Sequence, residues 1–231
     1  MVLLLCAFVP LALCPSSCRL HRQQLTYSPM SNRIRRHVDP FQCRIVIKPE
    51  DWLEAYEAHG QGDIWMDLGC GKGEFLAGLA EIYPGIFFIG VEVRKKIAEK
   101  YFPKHEHLTN LVLLHGNVNL SIPSMMGRHK VQKVFIHFPD PYSRKDRYKK
   151  RRMVNEVFVK GLCEILAAGG TVSAKTDDQS LFEDMDALLS ARFEPVPASM
   201  IPSAEATVLT EWEQACRRKS MPIYSKEYRL K

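Results

Sequence analysis

No CxxC pair occurs anywhere in the 231 residues, and the four cysteines beyond the N-terminal segment, Cys43, Cys70, Cys163 and Cys216, are widely scattered. That spacing excludes a zinc ribbon and a disulfide framework, and it points to a reducing interior. Histidine gives a metal little more: His105 and His107 stand two apart and cannot share a helix face. The apolar run VLLLCAFVPLALC over 2–14 is too short to span a bilayer comfortably and is broken by Pro10. Acids are missing altogether from Pro15 to Val38, a stretch that holds Arg19, Arg22, Arg33, Arg35 and Arg36 among serines. A signal-like core without the usual preceding Lys or Arg, followed by an Arg- and Ser-rich, acid-free stretch, suggests a bipartite leader over 1–30 of the kind that reaches plastids. A mitochondrial presequence, or a start codon set upstream of a cytosolic protein, are the alternatives. No internal repeat or low-complexity segment is evident. With 46% hydrophobic and 25% charged residues, positions 31–231 read as one globular domain large enough for its own core.

What is present is a concentration of charge. The formal net charge is only +6, yet seven Lys or Arg and one acid, Asp146, lie between Arg144 and Arg152. The run follows an apolar stretch, Val134 to Phe138, and the turn Pro139-Asp140-Pro141. Proline fixes φ and removes a donor, so two prolines stop a strand and stiffen the turn that carries Asp140. A cation cluster of this density suits a nucleic-acid backbone better than a membrane surface.

Along the chain, apolar strand-like stretches alternate with helical ones. Glu50 to His59 reads as a short helix. Ile64–Leu68 reads as a strand running into Gly69-Cys70-Gly71-Lys72-Gly73, and Phe75, Leu76, Leu79, Ala80 and Tyr83 repeat at helical spacing. Phe87–Val91, Leu111–Leu114, Val134–Phe138 and Thr171–Lys175 are further strands, and Lys95–Phe102 and Leu181–Leu189 further helices. Val154, Val157, Phe158, Leu162, Ile165 and Leu166 form an apolar helical stripe that Gly169-Gly170 would cap. Ile223–Leu230 alternates like an edge strand. The pattern predicts a doubly wound α/β domain, a mainly parallel sheet with helices on both faces. Its ligand belongs at the carboxyl ends of the strands, where Asp67, Glu92, Asn117, Asp140 and Asp177 fall.

The glycine turn departs from a dinucleotide fingerprint: Glu74 opens the helix and Asp67 precedes the turn, and both would oppose a pyrophosphate. A ligand without phosphates but with an amino-acid cation and a ribose suits them, and S-adenosylmethionine is one. Glu92, about twenty residues on, stands where an acid reaches ribose hydroxyls.

Read together, DLGCGKGEFL (67–76), GVEVR (90–94), GN (116–117), FPDP with its basic tail (138–152), KTD (175–177) and TEWE (210–213) resemble the tRNA (guanine-N7-)-methyltransferases. The resemblance spans roughly 33–231, including RIRRHVDP, and it implies a Rossmann-like class I methyltransferase acting on N7 of the variable-loop guanine 46. It also implies that Asp67, Gly69, Gly71, Glu92, Arg94 and Asn117 hold S-adenosyl-L-methionine and that Asp140 is catalytic. Arg144, Asp177, Thr210, Glu211, Trp212 and Glu213 would line the substrate site, and Lys145, Arg147, Lys149, Lys150, Arg151 and Arg152 would grip RNA phosphates. Arg144 stands where the family usually has Lys, and Tyr142 where Trp or His is common. Tyr148 is either a base-stacking residue or a packed tyrosine, and Trp212 either a core anchor or a substrate contact. The expected partner is tRNA; the mature chain is expected off the membrane, a monomer or homodimer, with no obligate protein partner. The competing readings are a methyltransferase for another substrate, an RNA-binding module with a decayed cofactor site, and an NAD-dependent oxidoreductase.

Overall fold

Parallel pairing governs the centre of the sheet. The computed structural model describes residues 40–142, 146–197 and 207–231, all within the compact unit Arg36–Lys231. The expected leader, the basic arm up to residue 39, Arg144 and Lys145 lie outside the described residues. Strand β1 (Asp63–Leu68) pairs parallel with β2 (Ile86–Glu92) on one side and β4 (Val131–His137) on the other. β3 (Leu111–His115) adds to β2, and β5 (Leu166–Thr176) to β4, again parallel. β7 (Tyr224–Leu230) then lies antiparallel on β5, with β6 (Phe193–Pro195) beyond it, giving the order β3-β2-β1-β4-β5-β7-β6. The doubly wound expectation is met.

Alternation along the strands divides the core. Met66, Ile89, Val134 and Val172 belong to a cluster with Trp52, Tyr56, Phe158, Leu162, Leu181 and Met185. These come from or adjoin α1 (Leu53–His59), α6 (Glu156–Ile165) and α7 (Gln179–Ser190). The neighbours in sequence, Phe88 and Phe135, join Phe75, Leu76 and Leu79 of α2 (Glu74–Ile82) in a second cluster. Opposite faces of a strand point to opposite sides, so these are the two layers over the sheet.

The second layer is more polar towards β5 and β7. Lys133 and Glu227 form a 2.7 Å ion pair, each side chain 6% exposed. The Lys133 ammonium also lies over the rings of Trp65 and Phe135.

Four sequence expectations fail locally. Gly169-Gly170 do not cap α6: the helix stops at Ile165 and the chain enters β5 at once, with both glycines inside that strand. Gly169 has φ +72°, and a Cβ on Gly170 would stand 2.9 Å from the Ala167 carbonyl, where the β4–β5 register shifts. Val157, expected on the apolar stripe, is 69% exposed. The C-terminal strand is no edge, since β6 covers it. α4 (Val118–Ser121) and α8 (Glu211–Arg218) form where the sequence reading set no helix, each capped by the residue before it, Asn117 and Thr210.

Candidate active site

Because β1 to β5 are mutually parallel, their carboxyl ends share one rim, which brings Asp67, Glu92, Asn117, Asp140 and Asp177 to the same edge of the sheet. At its centre the chain turns out of β1 through Gly69, Gly71 and Gly73 with φ of +99°, +58° and +82°. Only glycine adopts such angles without strain. Gly69 and Cys70 donate to the Val91 carbonyl at 2.8 and 3.0 Å, fastening the turn to β2. At Gly73 a Cβ would also fall 2.4 Å from the end of the Leu113 side chain, so a larger residue there would have to displace Leu113 as well as strain the backbone.

Glu92 is 2% exposed and fully engaged. Its carboxylate accepts from the Gly71 N–H at 3.0 Å, from the Arg94 backbone N–H at 2.8 Å, and from Arg94 Nε and an Arg94 terminal nitrogen at 2.9 and 2.8 Å. Four donors fill about four lone-pair positions. A ribose hydroxyl therefore reaches Glu92 only as Arg94 gives way. The Arg94 guanidinium holds its proton more tightly than usual, first because of the Glu92 hydrogen bonds and with a further contribution from the nearby Asp140 charge. Asp140 is thereby placed within electrostatic reach of the Glu92–Arg94 pair.

Asp67 is 3% exposed, and its Oδ1 has no hydrogen-bond partner among the described residues. Burial, with repulsion from Glu92 as a second cause, pushes its carboxyl up to about 8. A buried, unpartnered carboxyl beside an open-angled glycine turn fits a ligand that brings a cation and no phosphate, as S-adenosylmethionine does. The sign of the linkage is explicit. In the ligand-free fold Asp67 keeps its proton up to about pH 8, whereas an ordinary aspartate loses it near 3.9, so its contribution to stability is full below pH ~4 and fades towards pH ~8. A bound ammonium reverses the preference. Binding of S-adenosylhomocysteine at pH 7 is expected to release about one proton, read as buffer-dependent heat in calorimetry, and Asp67→Asn to abolish that release. Proton uptake, or release unchanged in the variant, would refute this.

Asn117, also placed with the cofactor by the resemblance, is 7% exposed and already engaged. Its Nδ2 donates to the carbonyls of Pro40 and Cys43, and its Oδ1 accepts from the Asn119 N–H. It ties the segment at residues 40–47 to the rim, assisted by the Ile47 N–H to the Ser121 hydroxyl at 2.9 Å.

Asp140 lies half-buried just past β4. Two non-glycine residues with left-handed backbones bracket its Pro-Asp-Pro turn: Phe138 at φ +52° and Tyr142 at φ +45°, both side chains buried. Such angles cost on the order of 1–3 kcal/mol each and persist only where surrounding structure enforces them. Here the Phe138 N–H donates to the Lys175 carbonyl at 2.7 Å, and the Pro141 carbonyl accepts from Arg152 Nε at 2.7 Å. Arg152 is 5% exposed and its guanidinium also pairs with Asp184. This corrects the expectation for Arg152: it holds the turn from inside and is not a surface cation for phosphate.

The remaining expected substrate residues divide. Asp177 is half-buried immediately after β5, one residue before the Asp178 cap of α7. The Thr210 hydroxyl caps α8 by accepting from the Glu213 N–H at 3.0 Å. Glu213, 2% exposed, bridges Lys175 at 3.0 Å and Arg217 at 2.8 Å. Glu211, exposed, pairs at 2.7 Å with Lys72 of the glycine turn, so the start of α8 stands beside that turn. Trp212 is half-buried.

Within the basic run, Arg147, Lys149 and Lys150 are exposed, with α5 (Asp146–Lys149) a single turn. Tyr148 is flanked by the guanidinium groups of Arg147 and Arg151, 5.0 and 5.1 Å from its ring centre. The sequence reading missed His137. Its ring meets the Ser173 hydroxyl at 3.0 Å, and burial, aided by Lys175 and Lys133, keeps it neutral well below its ordinary titration range. Its position, three residues before Asp140 on an apolar strand, was the available signal.

The Methyltransf_4 family model, described as "Putative methyltransferase", matches residues 61–226. A tRNA (guanine-N(7)-)-methyltransferase of Microcystis aeruginosa is 31% identical over 209 residues, covering 86% of this chain and 98% of that protein. One from Thermosynechococcus vestitus is 32% identical over 198 residues, covering 83% and 92%. One from Oceanobacillus iheyensis is 31% identical over 183 residues, covering 77% and 84%. Among solved structures, the 16S rRNA methyltransferase KamB superposes with a TM-score of 0.54 at 13% identity, over 80% of this chain and 95% of that one. The aminoglycoside resistance methyltransferase NpmB1 does so with a TM-score of 0.51 at 16% identity, over 81% and 95%. At such identities these two share the fold.

Proposed function

This chain belongs to the family of tRNA (guanine-N(7)-)-methyltransferases, and on that footing we propose that its substrate is tRNA, methylated at N7 of guanine 46 in the variable loop. It is an S-adenosyl-L-methionine-dependent methyltransferase. Bound there, S-adenosyl-L-methionine supplies an electrophilic methyl group on a sulfonium.

Guanine N7 carries an in-plane lone pair and no proton, so the reaction needs no general base. What it needs from the protein is alignment and an anionic surrounding for the positive charge that grows on the base. The observation that carries the reading is Asp140: a carboxylate on a rigid turn at the rim, within the field of Arg94, whose partner Glu92 accepts from the glycine turn. In this reading Asp140 orients the guanine and offsets its developing charge. Asp67, Glu92 and Asn117 frame the cofactor, Asp177 and the start of α8 border the base, and Arg147, Lys149, Lys150 and Arg151 hold phosphates. Arg144 and Lys145 belong to the same run.

The direct test is transfer of a labelled methyl group to bulk tRNA, with nuclease mapping of the labelled nucleotide. Label on any atom other than guanine N7, or no label, would overturn the reading. The RNA grip has its own measure. Replacing Lys149 and Lys150 together by Gln should lower the slope of log affinity against log salt by about 1.4–1.8, at 0.7–0.9 per phosphate contact. An unchanged slope would make the run merely solubilising surface.

A further inference from the structure

A second group of cations lies outside the basic run. Lys72 in the glycine turn, Lys100 at the end of α3 (Lys95–Tyr101) and Lys104 in the following 3-10 turn place their ammonium groups 5.0, 5.2 and 4.8 Å from the centre of one ring, Tyr101. The turn is closed onto the glycine loop by His105, whose Nε2 lies 3.2 Å from the Lys72 carbonyl. Lys96 and Lys100 stand four apart on α3, the spacing of one helix face, Lys104 follows four further on in the 3-10 turn, and all three are exposed.

The nearby acids cancel only part of this charge. Glu211 neutralises Lys72, and Glu99 stands 3.5 Å from Lys95. Lys96, Lys100 and Lys104 have no carboxylate within ion-pair distance among the described residues. Like charges drawn to one ring repel by a few tenths of a kcal/mol per pair in water, about what each cation–π contact returns. The array is therefore near balance by itself and gains most from an anion that spans several ammonium groups.

We propose that Lys100 and Lys104, gathered with Lys72 around Tyr101, form with Lys96 one turn earlier on α3 a second phosphate-binding surface for the RNA substrate. The proposal rests on the tRNA reading above. Its place in the fold supports it: α3 follows β2 and the basic run follows β4, and these strands flank β1 on opposite sides. One RNA lying across the glycine turn and Asp140 meets cations on both flanks, whereas an acidic protein would need no such alignment with the rim. Two grips on separate strands fix the direction of an RNA backbone, which one grip cannot do.

The test replaces Lys96, Lys100 and Lys104 together by Gln in the full chain. tRNA binding by fluorescence anisotropy across a salt series, and S-adenosylhomocysteine binding by calorimetry, are the two readouts. The expected result is a salt slope lower by about 2.1–2.7, a loss of tRNA affinity of tenfold or more, and unchanged affinity for S-adenosylhomocysteine. If the slope stays at the unaltered value while the Lys149/Lys150 variant flattens it, this surface does not bind RNA and the proposal falls alone. If the unaltered chain itself fails to bind tRNA, the substrate reading falls and takes this proposal with it.

Discussion

Asp140→Ala is expected to lower the rate of methyl transfer by at least 10²–10³-fold, while the affinity for S-adenosylhomocysteine stays within about twofold. The magnitude is that of removing one preorganised electrostatic group from a site where charge develops. The split between rate and binding follows from the geometry. The glycine turn and Glu92 are held together by hydrogen bonds to the Val91 carbonyl, Gly71 and Arg94, none of which involves Asp140, and Asp67 is fixed by its place in β1. Asp140→Asn separates the two roles: the amide retains a hydrogen-bonding side chain of the same shape but loses the charge. A rate recovered by Asn would assign Asp140 to orientation, and a rate still depressed would assign it to charge. Single-turnover kinetics with saturating donor, beside calorimetry, reads both. Cofactor affinity falling as steeply as rate would refute the division.

The largest effect on stability is expected from Lys133. Its ion pair with Glu227 is closed to water on both sides. Removing one partner leaves a buried charge without compensation, which costs about 3–5 kcal/mol. For a domain of this size that corresponds to a fall in Tm on the order of 10 °C. Lys133→Met should show it. The double replacement Lys133→Met with Glu227→Leu should recover most of the loss, because the pair stands among Trp65, Phe135 and the strands themselves, where apolar side chains of similar volume pack well. A single variant melting with the unaltered protein would mean that water reaches the pair after all.

The strand ends were legible in the sequence because a buried parallel strand is a short apolar run, and its last residues fall on the rim whatever the details of packing. Asp67, Glu92, Asp140 and Asp177 could be placed that way. Lys133 could not: a lysine before Val134-Phe135-Ile136 reads as the flank of a strand, and its partner lies on a strand far along the chain. Arg152 was illegible for a related reason. In a run of seven cations nothing in the composition marks the one that turns inward. Only its position just before Met153-Val154, where the chain rejoins the core, carried a hint. Gly169-Gly170 satisfied the local rule for ending a helix, but pairing of Leu166 with Val131 prevailed and drew both glycines into β5. β6, three residues long, is below the length at which any periodicity shows. Glu92 and Asn117 were found as residues but not as states: one is clasped by Arg94 and the other tied to residues 40–43, partners that only three dimensions supply.

The bond from Arg152 to the Pro141 carbonyl makes the cationic segment a noose whose knot sits next to Asp140. On the reading proposed above, tension applied along that run by a held phosphate would arrive at the knot, and from there at the carboxylate. On that reading the number of residues between Pro141 and Arg152 would set how far from a held phosphate the guanine is presented.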